Sequence, residues 1–146
     1  MHQKVNMNIN FFKSTLFLAL CTMSIFSQER VSTDKKVVKV ICVDPWFTYI
    51  KTGIKPVEGR KNSPTYQNIH VGDIIEFTNG NESFKVQVTE KRQYPSLEDY
   101  LLDVGIENAV PGTATLKDAM KIYYQWNTPE EIQKYGFLGI FIKLID

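Results

Sequence analysis

The segment Pro45–Arg60 reads PWFTYIKTGIKPVEGR and sets an ammonium, a carboxylate and a guanidinium, those of Lys55, Glu58 and Arg60, within six residues. Pro56, Val57 and Gly59 stand among them, so the run reads as a short, mostly buried strand with Pro56 at an edge or first position. A charge removed from water without a partner is very costly. These three groups must therefore meet water, one another or a ligand. Strand residues two apart share a face, so Glu58 and Arg60 are set to pair. The planar fork of Arg60 suits a carboxylate or a phosphate. Glu58 either orients that fork or accepts from the amino group of a base. The cluster reads equally as a salt bridge tying strand to helix and as a ligand site. Strict alternation turns Lys55 to the other face, and it joins its neighbours only where Pro56 or Gly59 breaks the pleat. Desolvated beside Arg60, Lys55 is a candidate base or nucleophile; exposed, it is an anchoring charge. Trp46, at the start of the preceding helix, is either core or a stacking platform for a base.

Other chemistries find little support. Cys21 and Cys42 are the two cysteines, and Cys42 stands in a valine-rich run as a small buried apolar residue. His2 and His70 are the two histidines, and no CxxC or HExxH is present, so no metal and no cofactor is expected. Net charge is +1, yet it is polarised. Lys36, Lys39, Lys51, Lys55, Arg60 and Lys61 face two acids between residues 36 and 61, whereas residues 93–146 hold four lysines against eight acids. Asn79, Lys85, Lys91 and Arg92 are candidates to extend the basic surface, and Tyr66 to cover a cleft.

The elements that must position the cluster are punctuated clearly. Residues 1–27 form a signal-like leader: Lys4 and Lys13 precede an apolar run from Leu16 to Phe26 that ends at Ser27. It is too short for a stable membrane span, and Ile25 occupies the −3 position in place of a small residue. Export, to a periplasm or outside the cell, is the expectation; an extension from an upstream start codon or a docked amphipathic helix would leave the protein cytoplasmic. Residues 28–35 are a polar linker and 36–146 the domain. Lys36–Val43 reads as a first strand. Asp44 is placed as N-cap with Pro45 at N1, Trp46, Phe47 and Ile50 share a face, and Gly53 stops the helix. Asn62–Asn68 reads as a polar loop, Ile74–Thr78 as a strand, Asn79-Gly80-Asn81 as a hairpin turn, and Phe84–Glu90 as its partner. Ser96 with Asp99, Thr115 with Asp118, and Thr128-Pro129-Glu130-Glu131 open three helices. Leu97, Tyr100, Leu101 and Val104 line the first, Leu116, Ala119, Met120, Tyr123 and Trp126 the second. Phe137–Ile145 is a central strand. Strands outside a helical insert predict α+β, a small mixed β-barrel wrapped by helices.

This order of parts resembles the ASCH domain, a branch of the PUA-like superfamily. Pro45-Trp46, Ile50, Gly53, Lys55 and Val57-Glu58-Gly59-Arg60 match a helix followed by GxKxxExR, and Val71-Gly72-Asp73 matches a VGD element. Pro111-Gly112, Tyr123 and Tyr135-Gly136 are similar to one bacterial-type subgroup. The resemblance spans about residues 36–146 and implies a cleft beside the first helix that takes RNA or a nucleotide-like ligand, with Lys55, Glu58, Arg60 and Trp46 as its binding residues. Some relatives are hydrolases, one branch deacylating a modified cytidine with a lysine, a threonine and a glutamate. Lys55 matches that lysine, Glu58 fills the threonine position, and Glu107 is a candidate for the glutamate. A carboxylate cannot stand in for a hydroxyl without different chemistry. Binding is therefore favoured over catalysis. A small hydrolase, an amidohydrolase on modified nucleosides or ribonuclease-like, is the first alternative. An exported structural or interaction protein with a non-catalytic cleft is the second.

Overall fold

A computed structural model describes residues 35–145. The leader and all of the linker except Lys35 lie outside the described residues. From Lys35 on, the chain runs β1 (Val37–Ile41), α1 (Trp46–Lys51), β2 (Val57–Lys61), α2 (Pro64–Gln67), β3 (Ile74–Asn79), β4 (Glu82–Tyr94), α3 (Leu97–Val104), α4 (Ile106–Ala109), α5 (Leu116–Tyr123), α6 (Pro129–Tyr135) and β5 (Phe137–Ile145). The strands form one mixed sheet in the order β1-β3-β4-β5-β2, curled into a half-barrel, with β1 parallel to β3 and every other pair antiparallel. The α+β class and the helix-wrapped, barrel-like sheet are as expected.

Local sequence explains most boundaries. Gly80, at φ +59°, makes the tight β3–β4 turn that places Asn79 opposite Glu82. The hydroxyls of Ser96, Thr115 and Thr128 accept from the backbone N–H three residues on, and Glu131 completes a capping box with Thr128. β5 lies between β4 and β2 and is buried on both faces from Phe137 to Ile140, which is why it reads as unbroken apolar sequence. Phe137 joins a core with Tyr100, Leu101, Ala119 and Tyr123 beneath the helices. Leu138 and Ile140 join a second with Phe47, Ile50, Ile75, Phe77 and Val86 inside the curl of the sheet.

Three boundaries differ from expectation. Asp44 caps α1 from one position further out: its Oδ1 accepts from the backbone N–H (3.2 Å) and hydroxyl (2.6 Å) of Thr48, and Pro45 itself is the N-cap residue. The polar loop 62–68 contains the helical turn α2, fastened by Lys91, whose Nζ donates to Gln67 O (2.8 Å) and Ile69 O (2.7 Å). β4 continues past Glu90 to Tyr94, because a register shift between Val88 and Glu90 bends it and turns its charged residues to the outer surface.

Candidate functional site

β2 carries Glu58 and Arg60 on one face, as the two-residue spacing requires, and the guanidinium NH2 meets Glu58 Oε1 at 2.7 Å. Lys55 is not part of the strand. It sits in the bend between α1 and β2, where its backbone N–H bonds to Tyr49 O at 2.9 Å, so pleat alternation does not govern it. Its side chain turns inward, 3% exposed. Nζ donates to Val57 O and Ala109 O, both at 2.6 Å, and stands 3.4 Å from Glu58 Oε2. Glu58, 9% exposed, therefore lies between two cations. The ordering is ammonium, carboxylate, guanidinium, with one positive charge in excess.

The cluster faces a cleft of about 260 Å³. Its lining joins Ile41, Cys42, Val43 and Trp46 from the β1–α1 passage, Lys55, Glu58, Gly59 and Arg60 from the motif, and Ala109, Val110, Ile122, Tyr123, Trp126 and Asn127 from the helical region. Gly59 is glycine for want of space: a Cβ there would stand 2.6 Å from the Tyr123 hydroxyl and 2.8 Å from that of Tyr100. Those hydroxyls lie 3.2 Å apart, and the Tyr123 hydroxyl donates to Ala109 O, the carbonyl that also takes Lys55. Helices α3, α4 and α5 thus lock the backbone on which the cluster is mounted.

Charge and burial act in opposition here. Burial lowers the Arg60 pKa, but the Glu58 carboxylate, with Tyr66 and Cys42, outweighs it and holds the guanidinium above its ordinary value. Arg60 also lies over the Tyr66 ring, 5.2 Å from its centroid, and its buried Nε has no hydrogen-bond partner among the described residues. Tyr66 stands behind Arg60 as a support and is not among the residues lining the cleft. The Cys42 thiol is pushed up to about 12, first by burial and then by Glu58, and so is neutral at physiological pH. Burial likewise raises Tyr100 and Tyr123, the latter opposed by Lys55.

Lys55, Glu58, Arg60 and Trp46 are thus brought together, while Glu107 is exposed on α4 and outside the lining. Trp46 is half-buried and packs against both cores, so it serves the fold as well as the cleft. Of the four residues expected to extend the basic surface, Lys85 is exposed and the other three are engaged elsewhere. Asn79 donates to Asp44, Lys91 is spent on α2, and Arg92 is paired with Glu90 and Asp103. Trp126, with Ala109 and Val110, was not legible as part of the site. The sequence sets Trp126 in the apolar stripe of α5, but the helix ends at Tyr123 and leaves the indole exposed at the cleft.

The family model described as "ASCH domain" matches residues 40–145. The chain belongs to the ASCH domain family. Among solved structures it is similar to the crystal structure of the hypothetical protein PH0355, with 34% identity, 75% of this chain and 99% of that one covered, and a TM-score of 0.70. It is also similar to the solution NMR structure of protein PF0455 from Pyrococcus furiosus, at 28% identity, 75% and 98% coverage and a TM-score of 0.65. A serine-to-alanine variant of the ASCH protein of Zymomonas mobilis shares the fold, at 12% identity, 75% and 69% coverage and a TM-score of 0.52. No curated protein matches. The lysine, glutamate and arginine of the GxKxxExR motif of this ASCH domain line its cleft, and the motif's Gly53 does not. No helix among the described residues is long and apolar enough to cross a membrane.

Proposed function

We propose that this ASCH domain binds a nucleotide-like ligand, a free nucleotide or a residue of RNA, in the cleft over Lys55, Glu58 and Arg60. The observation that carries the reading is Arg60. It is a 27%-exposed cation oriented by Glu58 and backed by Tyr66, it lines the cleft, and it leaves its Nε unpaired. Arginine in such a frame presents a rigid fork to a phosphate or a base edge. The cleft volume lies just below the range of about 300–1,000 Å³ common for small-molecule sites, a size for one nucleoside. Hydrolysis by Lys55 gains no support, since its buried Nζ donates to Val57 O and Ala109 O and pairs with Glu58, which commits it to the fold.

Titration calorimetry with mononucleotides and short RNA, repeated across salt concentrations, tests this. Arg60→Ala should weaken binding at least ten-fold with the circular dichroism spectrum unchanged. Arg60→Lys should recover part of the loss, lacking the fork, and affinity should fall as salt rises. Binding indifferent to both Arg60 and salt refutes the assignment.

A further inference from the structure

We infer that the cleft takes a single unpaired nucleobase, its ring stacked on Trp126 and its hydrogen-bonding edge turned to Glu58 and Arg60. This rests on the nucleotide-binding reading and adds a recognition residue and the form of the ligand.

Three exposed apolar side chains gather at the cleft: Trp126 is 55% exposed, Ile41 80% and Val43 51%. Large apolar groups concentrated at one mouth, around an ionised floor, mark a binding surface. Trp126 is held there by its backbone. Its N–H donates to Tyr123 O at 3.2 Å, and Asn127 Nδ2 donates to the same carbonyl at 3.4 Å, so the backbone that carries the indole is tied to the end of α5. The floor offers mixed polarity. A carboxylate has about four lone-pair directions; Arg60 meets Glu58 Oε1 at 2.7 Å and Lys55 stands 3.4 Å from Oε2. Glu58 can thus accept from a ligand while Arg60 donates to it. A planar ring with apolar faces and adjacent donor and acceptor groups on its edge satisfies both halves of the cleft. That is a nucleobase whose edge is not engaged in pairing, and a cleft of about 260 Å³ has room for one. A free nucleotide and a single-stranded RNA share this chemistry.

The test uses the full chain, with calorimetry and tryptophan fluorescence, and four probes: the four nucleoside monophosphates, a single-stranded RNA octamer of mixed sequence, the same octamer as a duplex, and inorganic phosphate. Mononucleotides or single strand should bind and quench fluorescence, with duplex and phosphate at least ten-fold weaker; whichever of the first two binds tighter identifies the source. Stacking on an aromatic ring makes Trp126→Ala weaker by roughly 5- to 150-fold, with the quenching lost. Trp126→Phe should stay within a few-fold of the native chain. Trp126→Leu, apolar but without a ring, should behave as Trp126→Ala and serves if the latter does not fold. Nucleotide binding that depends on Arg60 but is unchanged in Trp126→Ala and Trp126→Leu overturns this inference and leaves the nucleotide-binding reading standing. Duplex binding as tight as single strand overturns it equally. Binding by none of the nucleotide probes overturns both.

Discussion

Replacing Lys55 with methionine keeps the length and apolar stem of the side chain while removing its charge and donors. At 3% exposure the ammonium holds Val57 O and Ala109 O at 2.6 Å each and faces Glu58 Oε2 at 3.4 Å. Ala109 O would keep the Tyr123 hydroxyl at 3.3 Å, and Glu58 would keep Arg60 at 2.7 Å. An unpaired buried acceptor costs about 1–3 kcal/mol, and removing one member of a buried ion pair about 3–5 kcal/mol. The surviving partners put Lys55→Met at the lower end, near ~3 kcal/mol. For a domain of this size, at about 4 °C per kcal/mol, the melting midpoint should fall by roughly 12 °C. Urea unfolding followed by circular dichroism measures the loss directly, and an unchanged slope confirms that stability alone has moved. Arg60→Ala should cost less than Lys55→Met, because the Arg60 side chain is 27% exposed. If Lys55→Met instead lies within about 1 kcal/mol of the native chain, below even a single lost buried bond, Lys55 is not a strut. Its Nζ would then not be committed to the fold, and a catalytic role for Lys55 would reopen.

Two further outcomes follow from the same geometry. Gly59→Ala would force a Cβ to within 2.9 Å of Phe137 Cε1 as well as against both tyrosine hydroxyls. Over-packing of this kind costs about 1–3 kcal/mol; urea midpoints equal to the native value would mean that the three buried rings can yield. The Cys42 thiol is raised from 9.0 to about 12. A pKa higher in the folded state than in the unfolded one contributes stability that is complete below 9.0 and lost as pH rises toward 12. In a Cys21→Ser background, Cys42→Ala should flatten the stability curve over that alkaline window. Native Cys42 should resist iodoacetamide at pH 8 until denaturant is added. Rapid labelling of the native protein would show that the thiol is neither buried nor protonated.

Helices α3, α5 and α6 were legible because their starts are written in short-range chemistry, whereas the single turns α2 and α4, without a side-chain cap, were not. Ser96, Thr115 and Thr128 each cap the residue three positions on, and all four residues of the Leu97–Val104 stripe are buried. The final strand was legible for the opposite reason, since burial on both faces leaves a continuous apolar run. The second half of β4 was not, because Lys91, Arg92 and Gln93 belong to a strand whose outer side carries the charge. In the cleft, Glu58 and Arg60 followed from spacing alone. Lys55 did not: its direction is set by a carbonyl on α4, 54 residues away, which no local pattern encodes. Trp126 escaped for the same reason, lying far along the chain from the motif whose cleft it lines.

β2 ends the sheet order, with β5, the last strand, as its neighbour, and Arg60 faces Leu138 across that pairing. A ribosome releasing this chain would therefore deliver the motif early and the means of shaping it late. Until the final residues emerge, the charged triplet lacks its pairing strand, although α4, whose Ala109 carbonyl takes the ammonium, has already been made. Recognition should switch on as a unit at completion of synthesis, and a protein truncated before Phe137 would carry every motif residue yet bind nothing.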